Sequence, residues 1–517
     1  MTARRLWMMP ALAACTALPL ALSQPGAATA APGDSSTLTV ATMWEVQPLS
    51  LKPRRSRFFN ESEILDTLVK LDHDMALQPG LALAWERDTP TTWRFTLREG
   101  VRFHDGTPLT SEAVIGSLNR VMEELPYAAG LLDIKDMRAE GPRELVIETN
   151  QPFAALPNQL TDAFTGIHAA SSFDDAGEFI RPVGTGPFRF VEYRKQDRTI
   201  LERFPDYWGK APTLERVVYR YIPDHAARTL SLEAGEVDLA LNILPSDARR
   251  LADSEAFTVH RAPIAGLYYM VLNTAANSPF HDLGVRKAVA QLIERDALVE
   301  HALDGVGLPA RQFFSPALDM VAGPVPTHDT DIEAARALLA EAGYVFEDGA
   351  WRRDGESLSL DLISYSSRTE MPLITEAVAG LLGQAGVNTT PRLYTWPGML
   401  DRARSGDYDA YVVFWTPEMT GHPDQHLSAQ FHSARNALQN GYTNEELDAL
   451  LERARGLDAG PERDEAYRAV LEVLHQDVPI VPLVHKVAVA ASHDGLKGFR
   501  LHPSGFFHDF KSVSKVD

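Results

Sequence analysis

The sequence is almost without cysteine: Cys15 is the single one among 517 residues, and it sits inside an N-terminal apolar stretch. Thiol catalysis, disulfide scaffolding and thiolate metal sites are thereby excluded from the body of the chain. Positive charge is scarce as well, with 49 Lys and Arg against 70 Asp and Glu and a net charge of −21. So acidic a surface does not suit nucleic acid or an anionic membrane as partner. Past Leu22 no apolar run is long enough to span a bilayer. Short-period repeats and low-complexity tracts are missing, and a composition of 45% hydrophobic and 23% charged residues excludes wholesale disorder. No Gly-x-Ser-x-Gly elbow, His-Glu-x-x-His pair or phosphate-loop pattern occurs. Gly305-Val306-Gly307-Leu308-Pro309-Ala310 mimics a dinucleotide fingerprint, but it follows a helical pattern and carries Pro309, so it reads as a loop.

What is present begins with an export signal. Arg4 and Arg5 precede an apolar stretch from Leu6 to Leu22, and a small, polar segment then ends in Ala28-Thr29-Ala30. This reads as a signal peptide over residues 1–30, cleaved before Ala31. Leu12-Ala13-Ala14-Cys15 supplies a second reading, a lipobox that would leave the mature chain lipid-anchored at Cys15. The apolar stretch runs on past Cys15, which favours cleavage before Ala31. Removing residues 1–30 takes away Arg4 and Arg5 but no acid, leaving 47 basic against 70 acidic side chains.

A chain of this length exceeds one compact core, so two or three globular units are expected. Thr37 to Met43 reads as a first strand. Trp93 to Leu97 alternates apolar and polar, Glu99-Gly100 offers a turn, and Val101 to Phe103 resumes the alternation, which predicts a hairpin. Ser111-Glu112 opens a helix, and Leu145 to Ile147, Phe188 to Tyr193, Leu214 to Ile222 and Phe257 to His260 read as strands. Val285, Ala288, Val289, Leu292 and Ile293 line one helical face, and Asp331 caps a helix that Gly343 ends. Leu358 to Ile363, Asn388 to Tyr394 and Tyr408 to Phe414 are strands separated by helices, which predicts a mostly parallel α/β sheet. Glu446 to Arg455 and Glu462 to His475 are the last helices, and Ile480 to Val484 returns as a strand.

Five segments, in order, resemble one known family. They are Trp93 to Val114; Pro182-Val183-Gly184-Thr185-Gly186-Pro187-Phe188 with Asp206-Tyr207-Trp208-Gly209; Arg228 to Leu239; Leu272-Asn273-Thr274 with Val285 to Val289; and Ala335 to Tyr344. Together they resemble the extracytoplasmic solute-binding proteins of the peptide, opine and nickel importers, solute-binding protein family 5. The resemblance implies a two-lobed periplasmic-binding-protein fold, type II-like and of cluster C, with a ligand cleft between the lobes. Lobe I would hold residues 31–265 and 485–517, with an extra subdomain at about 59–170, and lobe II residues 266–484. The implied function is non-enzymatic: a monomer in the periplasm closes about a short peptide or peptide-like opine and delivers it to the permease subunits of an ABC importer. No cofactor is implied; in the nickel branch of the family a metal chelate is the cargo. Gly184 and Gly186 read as positions needing positive φ or close packing, and Trp93, Phe95 and Phe103 as core.

Ligand-reading residues of the family cluster after the strand that ends here at Phe414-Trp415. Dipeptide binders carry an acid there for the peptide ammonium; the matching position here is His422, with Asp424 two residues on. The nickel binders use an arginine after a Pro-Phe strand, and Pro152 to Asp162 contains none. His422 and His426 stand at i and i+4 and would share a metal on one helix, although Pro423 interrupts it and hydrogen-bonded histidines are the ordinary account. Trp415 is the leading pocket candidate, as a rigid aromatic wall. Tyr365, Tyr394, Trp396 and Arg402 stand at strand ends and helix starts, where α/β ligands sit, and Arg402 would suit a carboxylate. Trp44, near the end of the first strand, would approach from the other lobe. Arg54, Arg55 and Arg57 form a small basic run that suits an anion, or simply a solvated loop. A secreted hydrolase with dispersed catalytic residues, or a sensory receptor on the same fold, is the rival class.

Overall fold

The two longest strands, Phe257–Leu272 and Ile480–His493, are rich in branched and aromatic side chains and pair antiparallel along nearly their whole length. They are the centre of an eleven-stranded sheet. On one side follow Ala410–Trp415, Ser359–Tyr365 and Asn388–Tyr394; on the other, Leu239–Leu241, Thr37–Thr42, Arg216–Tyr221, Arg198–Arg203 and Phe188–Arg194; the eleventh, Leu308–Pro309, pairs with Ile480–His493 off this order. The computed structural model describes residues 35–49, 63–417, 419–435, 437–505 and 507–516. The expected signal peptide, Cys15 and the Arg54, Arg55, Arg57 run lie outside the described residues.

The sheet is mixed rather than mostly parallel. Ser359–Tyr365 runs parallel to both of its neighbours, and so does Thr37–Thr42. The long pair is antiparallel to everything beside it, and Phe188–Arg194, Arg198–Arg203 and Arg216–Tyr221 form an antiparallel meander. Alternating strands and helices build each parallel patch, but the two patches are joined through strands that run the other way.

Pairing of the long strands proceeds from Phe257↔His493 to Pro263↔Val487, then breaks and resumes at Leu267↔His485. Pro263 has no N–H to give the ladder, and a bulge at such a position bends the strand and raises its twist. Gly266 lies in the break; a Cβ there would stand 2.9 Å from the Phe414 ring. Phe257–Pro263 is partly exposed, whereas Ile264–Leu272 is wholly buried.

Apolar side chains gather into separate clusters on either side of this break. One contains residues from Leu267 to Val484, together with Met75. Two others are drawn from residues 38–251 and the C-terminal segment from Val489 to Val513. A further cluster, from Leu68 to Val183, covers a four-stranded antiparallel sheet of Ala82–Thr89, Thr92–Leu97, Glu144–Thr149 and Ile134–Ala139. Trp93, Phe95 and Phe103 are buried there. The expected hairpin through Glu99-Gly100 does not form: Thr92–Leu97 pairs with Ala82–Thr89 and Glu144–Thr149 instead. Val101 to Leu109 closes on itself, with Phe103 N–H donating to Thr107 O at 2.9 Å and Leu109 N–H to Val101 O at 3.0 Å.

Helix boundaries follow their caps. The Thr110 hydroxyl accepts from Ala113 N–H to start Ser111–Glu124, and the Asp331 carboxylate accepts from Ala334 N–H to start Ile332–Glu341. Gly184 and Gly186 are glycine because of packing, not positive φ: added Cβ atoms would lie 2.2 and 2.6 Å from the Ile64 carbonyl oxygen. Among the described residues no helix is long and apolar enough to cross a membrane.

Candidate ligand-binding site

The break in the long strand pair opens a cavity of about 50 Å³, walled by Trp44, Asn242, Ile264, Arg368, Phe414 and Lys486 among others. Each wall comes from a different element. Trp44 follows Thr37–Thr42, where the Thr42 hydroxyl donates to the Trp44 carbonyl at 2.6 Å. Asn242 follows Leu239–Leu241 with φ 55°, a conformation asparagine tolerates. Buried Arg228 fixes that turn by donating to the carbonyls of Leu241 and Asn242. Arg368 occupies the loop between Ser359–Tyr365 and helix Glu370–Gln384, the strand-end position where α/β proteins place ligands.

Two buried cations meet here. The Arg368 guanidinium lies 4.0 Å from the centroid of the Phe414 ring and 5.8 Å from that of Trp44, and its Nε has no hydrogen-bond partner. Lys486 donates to the Tyr268 hydroxyl at 3.2 Å and pairs with the Glu370 carboxylate. Burial acts to raise the Glu370 pKa, but the charges of Lys486 and Arg368 outweigh it and bring it down to about 2. Glu370 therefore stays ionised and offsets one of the two positive charges. The surplus positive charge belongs with a planar, fork-shaped donor, the geometry that matches a carboxylate.

The residues expected from sequence fall into three places. Trp44 is in this cavity. Trp415 and His426 line a second cavity of about 50 Å³ with Thr416, Met419 and Gln425, their rings 6.0 Å apart. Tyr365, Tyr394, Trp396 and Arg402 line neither. Tyr365 is fully buried, edge-on to Trp396 at 4.9 Å, and its side chain favours the charged form of Arg368, so it supports the cation from behind. Arg402 lies over the Tyr394 ring at 4.8 Å and pairs with Asp407 at the end of its own helix.

His422 and Asp424 are engaged within the protein. His422 is buried edge-on to Tyr467, its Nδ1 accepts from Asp424 N–H at 3.1 Å, and burial, with the charge of Arg463, pushes its pKa down to about 3. The buried Asp424 carboxylate accepts from the Ser428 hydroxyl at 2.7 Å and faces Arg455 at 3.6 Å. His426 lies among Phe313, Trp415 and Tyr269, surroundings distinct from those of His422. Among the described residues no group of three or more His, Cys, Asp or Glu is placed to hold a metal ion.

Sequence reasoning missed Arg368, Glu370 and Lys486. Lys486 did leave a signal, as a charge inside the apolar run from Ile480 to Ala491. Arg368, in Ser366-Ser367-Arg368-Thr369, resembles any solvated loop.

Contacts also join the Leu68–Val183 cluster to the segment after Trp415. The Asn158 amide donates to Thr420 O at 3.0 Å, and Gln425 donates to Asp162 at 3.2 Å. Arg455 approaches Asp133 at 3.3 Å, and its guanidinium lies 4.0 Å from the Phe153 ring centroid.

Heme-binding protein A of Haemophilus influenzae is 27% identical over 462 residues, covering 83% of each chain. The dipeptide-binding protein of Escherichia coli K12 is 25% identical over 478 residues, covering 84% of this chain and 86% of that one. In three dimensions, NikA from Brucella suis, solved with Fe(III)-EDTA, superposes with a TM-score of 0.84 at 22% identity over 93% of this chain and all of that one, a likeness that establishes the two-lobed α/β fold. The family model of bacterial extracellular solute-binding proteins, family 5, matches residues 76–437, more than half of the sequence. The chain therefore belongs to the bacterial extracellular solute-binding proteins, family 5, and is a substrate-binding component rather than an enzyme.

Proposed function

We propose that this protein captures a small solute bearing a carboxylate, a short peptide or peptide-like opine, and hands it unaltered to the permease subunits of an ABC importer. The observation that carries the reading is Arg368: a buried guanidinium with a partnerless Nε, stacked between Phe414 and Trp44 at the edge of a cavity. An unpaired buried donor costs free energy, and an arriving carboxylate removes that cost.

The cavity draws its walls from both sides of the strand break, with Trp44 and Asn242 from one and Arg368 and Phe414 from the other. Only the closed arrangement touches ligand on both sides, so binding shifts the population towards closure. Lobe I then comprises residues 31–265 and 485–517, lobe II residues 266–484, and the hinge falls at the break between Pro263 and Leu267. Export by residues 1–30 places the protein in the periplasm, where the permease takes up the loaded, closed form.

Native mass spectrometry of the purified protein, followed by release and mass analysis of the guest, tests this. A carboxylate-bearing peptide or opine recovered unchanged is the expected result; a metal chelate would assign the cargo of the nickel branch instead. A chemically altered guest, or no compaction by small-angle scattering on rebinding it, would overturn the proposal.

A further inference from the structure

We propose that a second chamber, walled by His73, His502, Phe507 and His508, is a subsite for a flat aromatic group of the solute; the inference rests on the reading that Arg368 holds that solute's carboxylate. At about 50 Å³ the cavity beside Arg368 has room for a carboxylate and little else. Any larger solute must place its bulk elsewhere. The neighbouring chamber, of about 270 Å³, shares His502, Phe507 and His508 with the first. For scale, a cavity of about 150 Å³ accommodates benzene.

The walls suit a ring. Leu65, Leu71 and Ala163 give apolar surface. His73 and His502 stand 5.0 Å apart between centroids, and His502 meets Phe507 edge-on at 5.5 Å. Burial keeps His502 and His508 uncharged at neutral pH. The cations of the chamber are matched, Lys70 with Asp66 and Lys511 with Asp509, so its walls carry no unbalanced positive charge. Among the polar atoms of the walls, His73 Nε2 is buried without a hydrogen-bond partner. A ring carrying its own polar atom, a phenol or an indole, satisfies both the walls and that nitrogen.

Isothermal titration with trialanine and its three single-tyrosine forms tests the assignment on the wild type, His73→Ala, Ala163→Phe and Arg368→Ala. One tyrosine position should bind about tenfold or more tighter than trialanine, as burial of an aromatic side chain predicts. That gain should shrink severalfold in His73→Ala, which strips the wall, and in Ala163→Phe, which fills the chamber. Trialanine, which has no ring to place in the chamber, should bind both variants as it binds the wild type. Arg368→Ala should weaken all four peptides alike. No gain at any tyrosine position, or a gain untouched by both chamber variants, overturns the subsite while leaving the Arg368 reading intact. Failure of trialanine to bind the wild type overturns that reading, and the subsite with it.

Discussion

Glu370→Gln should destabilise the protein while strengthening its hold on a carboxylate. The substitution keeps shape and removes the negative charge that Lys486 and Arg368 share. The Glu370 pKa falls from its ordinary 4.5 to about 2 in the fold. That difference of about 2.5, at about 1.4 kcal/mol per unit, is about 3–4 kcal/mol of stability. It agrees with the cost of about 3–5 kcal/mol for stranding one member of a buried pair. A depressed carboxylate pKa contributes fully above the unfolded value near 4.5, and the contribution is lost as pH falls through about 2. Urea unfolding followed by tryptophan fluorescence should therefore separate wild type and variant widely at pH 7 and bring them together near pH 2. Lys486→Met, added to Glu370→Gln, should recover much of the loss, because it removes the stranded cation. In titrations, the variant's surplus positive charge should raise the affinity for a carboxylate ligand. A separation below about 1 kcal/mol at pH 7, the value typical of an exposed ion pair, or one unchanged between pH 7 and pH 2, would refute the reasoning.

Gly184→Ala should cost about 2 kcal/mol or more, because its Cβ would meet the Ile64 carbonyl oxygen at 2.2 Å, backbone against backbone; differential scanning fluorimetry should show a fall of several degrees in thermal midpoint. Arg455 ties the Leu68–Val183 cluster to the segment after Trp415 and so favours closure; Arg455→Ala removes its contacts to Asp133, Asp424 and the Phe153 ring and should lower ligand affinity about thirtyfold, as loss of a buried charge contact does. Small-angle scattering should show that variant more extended without ligand; identical profiles would exclude this role. Burial brings the pKa of His422 and His508 to about 3 and that of His502 to about 4, so each favours the fold fully above pH 6.5 and loses that contribution as pH falls towards those values. Their imidazole NMR signals should stay constant from pH 8 to pH 5.

The strands and helices were legible where one periodicity held. Asn388–Tyr394 matches residue for residue, and the Asp331 cap and the helix it starts are where the pattern puts them. Strand direction was not legible, because it depends on which strands become neighbours, and the long antiparallel pair joins segments from opposite parts of the chain. Val101 to Phe103 alternates like a strand, yet its backbone groups are taken by the turn that closes at Leu109. The candidate site was legible only at its edges. Trp44 was placed near a ligand by its position after the first strand. Arg368 was invisible because nothing local separates a buried loop arginine from a solvated one; its burial is made by Trp44, Phe414 and the tyrosines packed behind it. His422 and Asp424 carry polar groups suited to a ligand, but Tyr467, Ser428 and Arg455 occupy them, and Tyr467 and Arg455 lie outside any local window.

The most direct test compares trialanine with trialanine amide, which differ only in the terminal carboxylate. By isothermal titration against the wild type, the acid should bind tighter by about 2 kcal/mol or more, the loss expected when one partner of a buried charge contact is removed. In Arg368→Ala the two should bind alike. Equal affinities in the wild type, or a preference that survives in Arg368→Ala, would contradict the account.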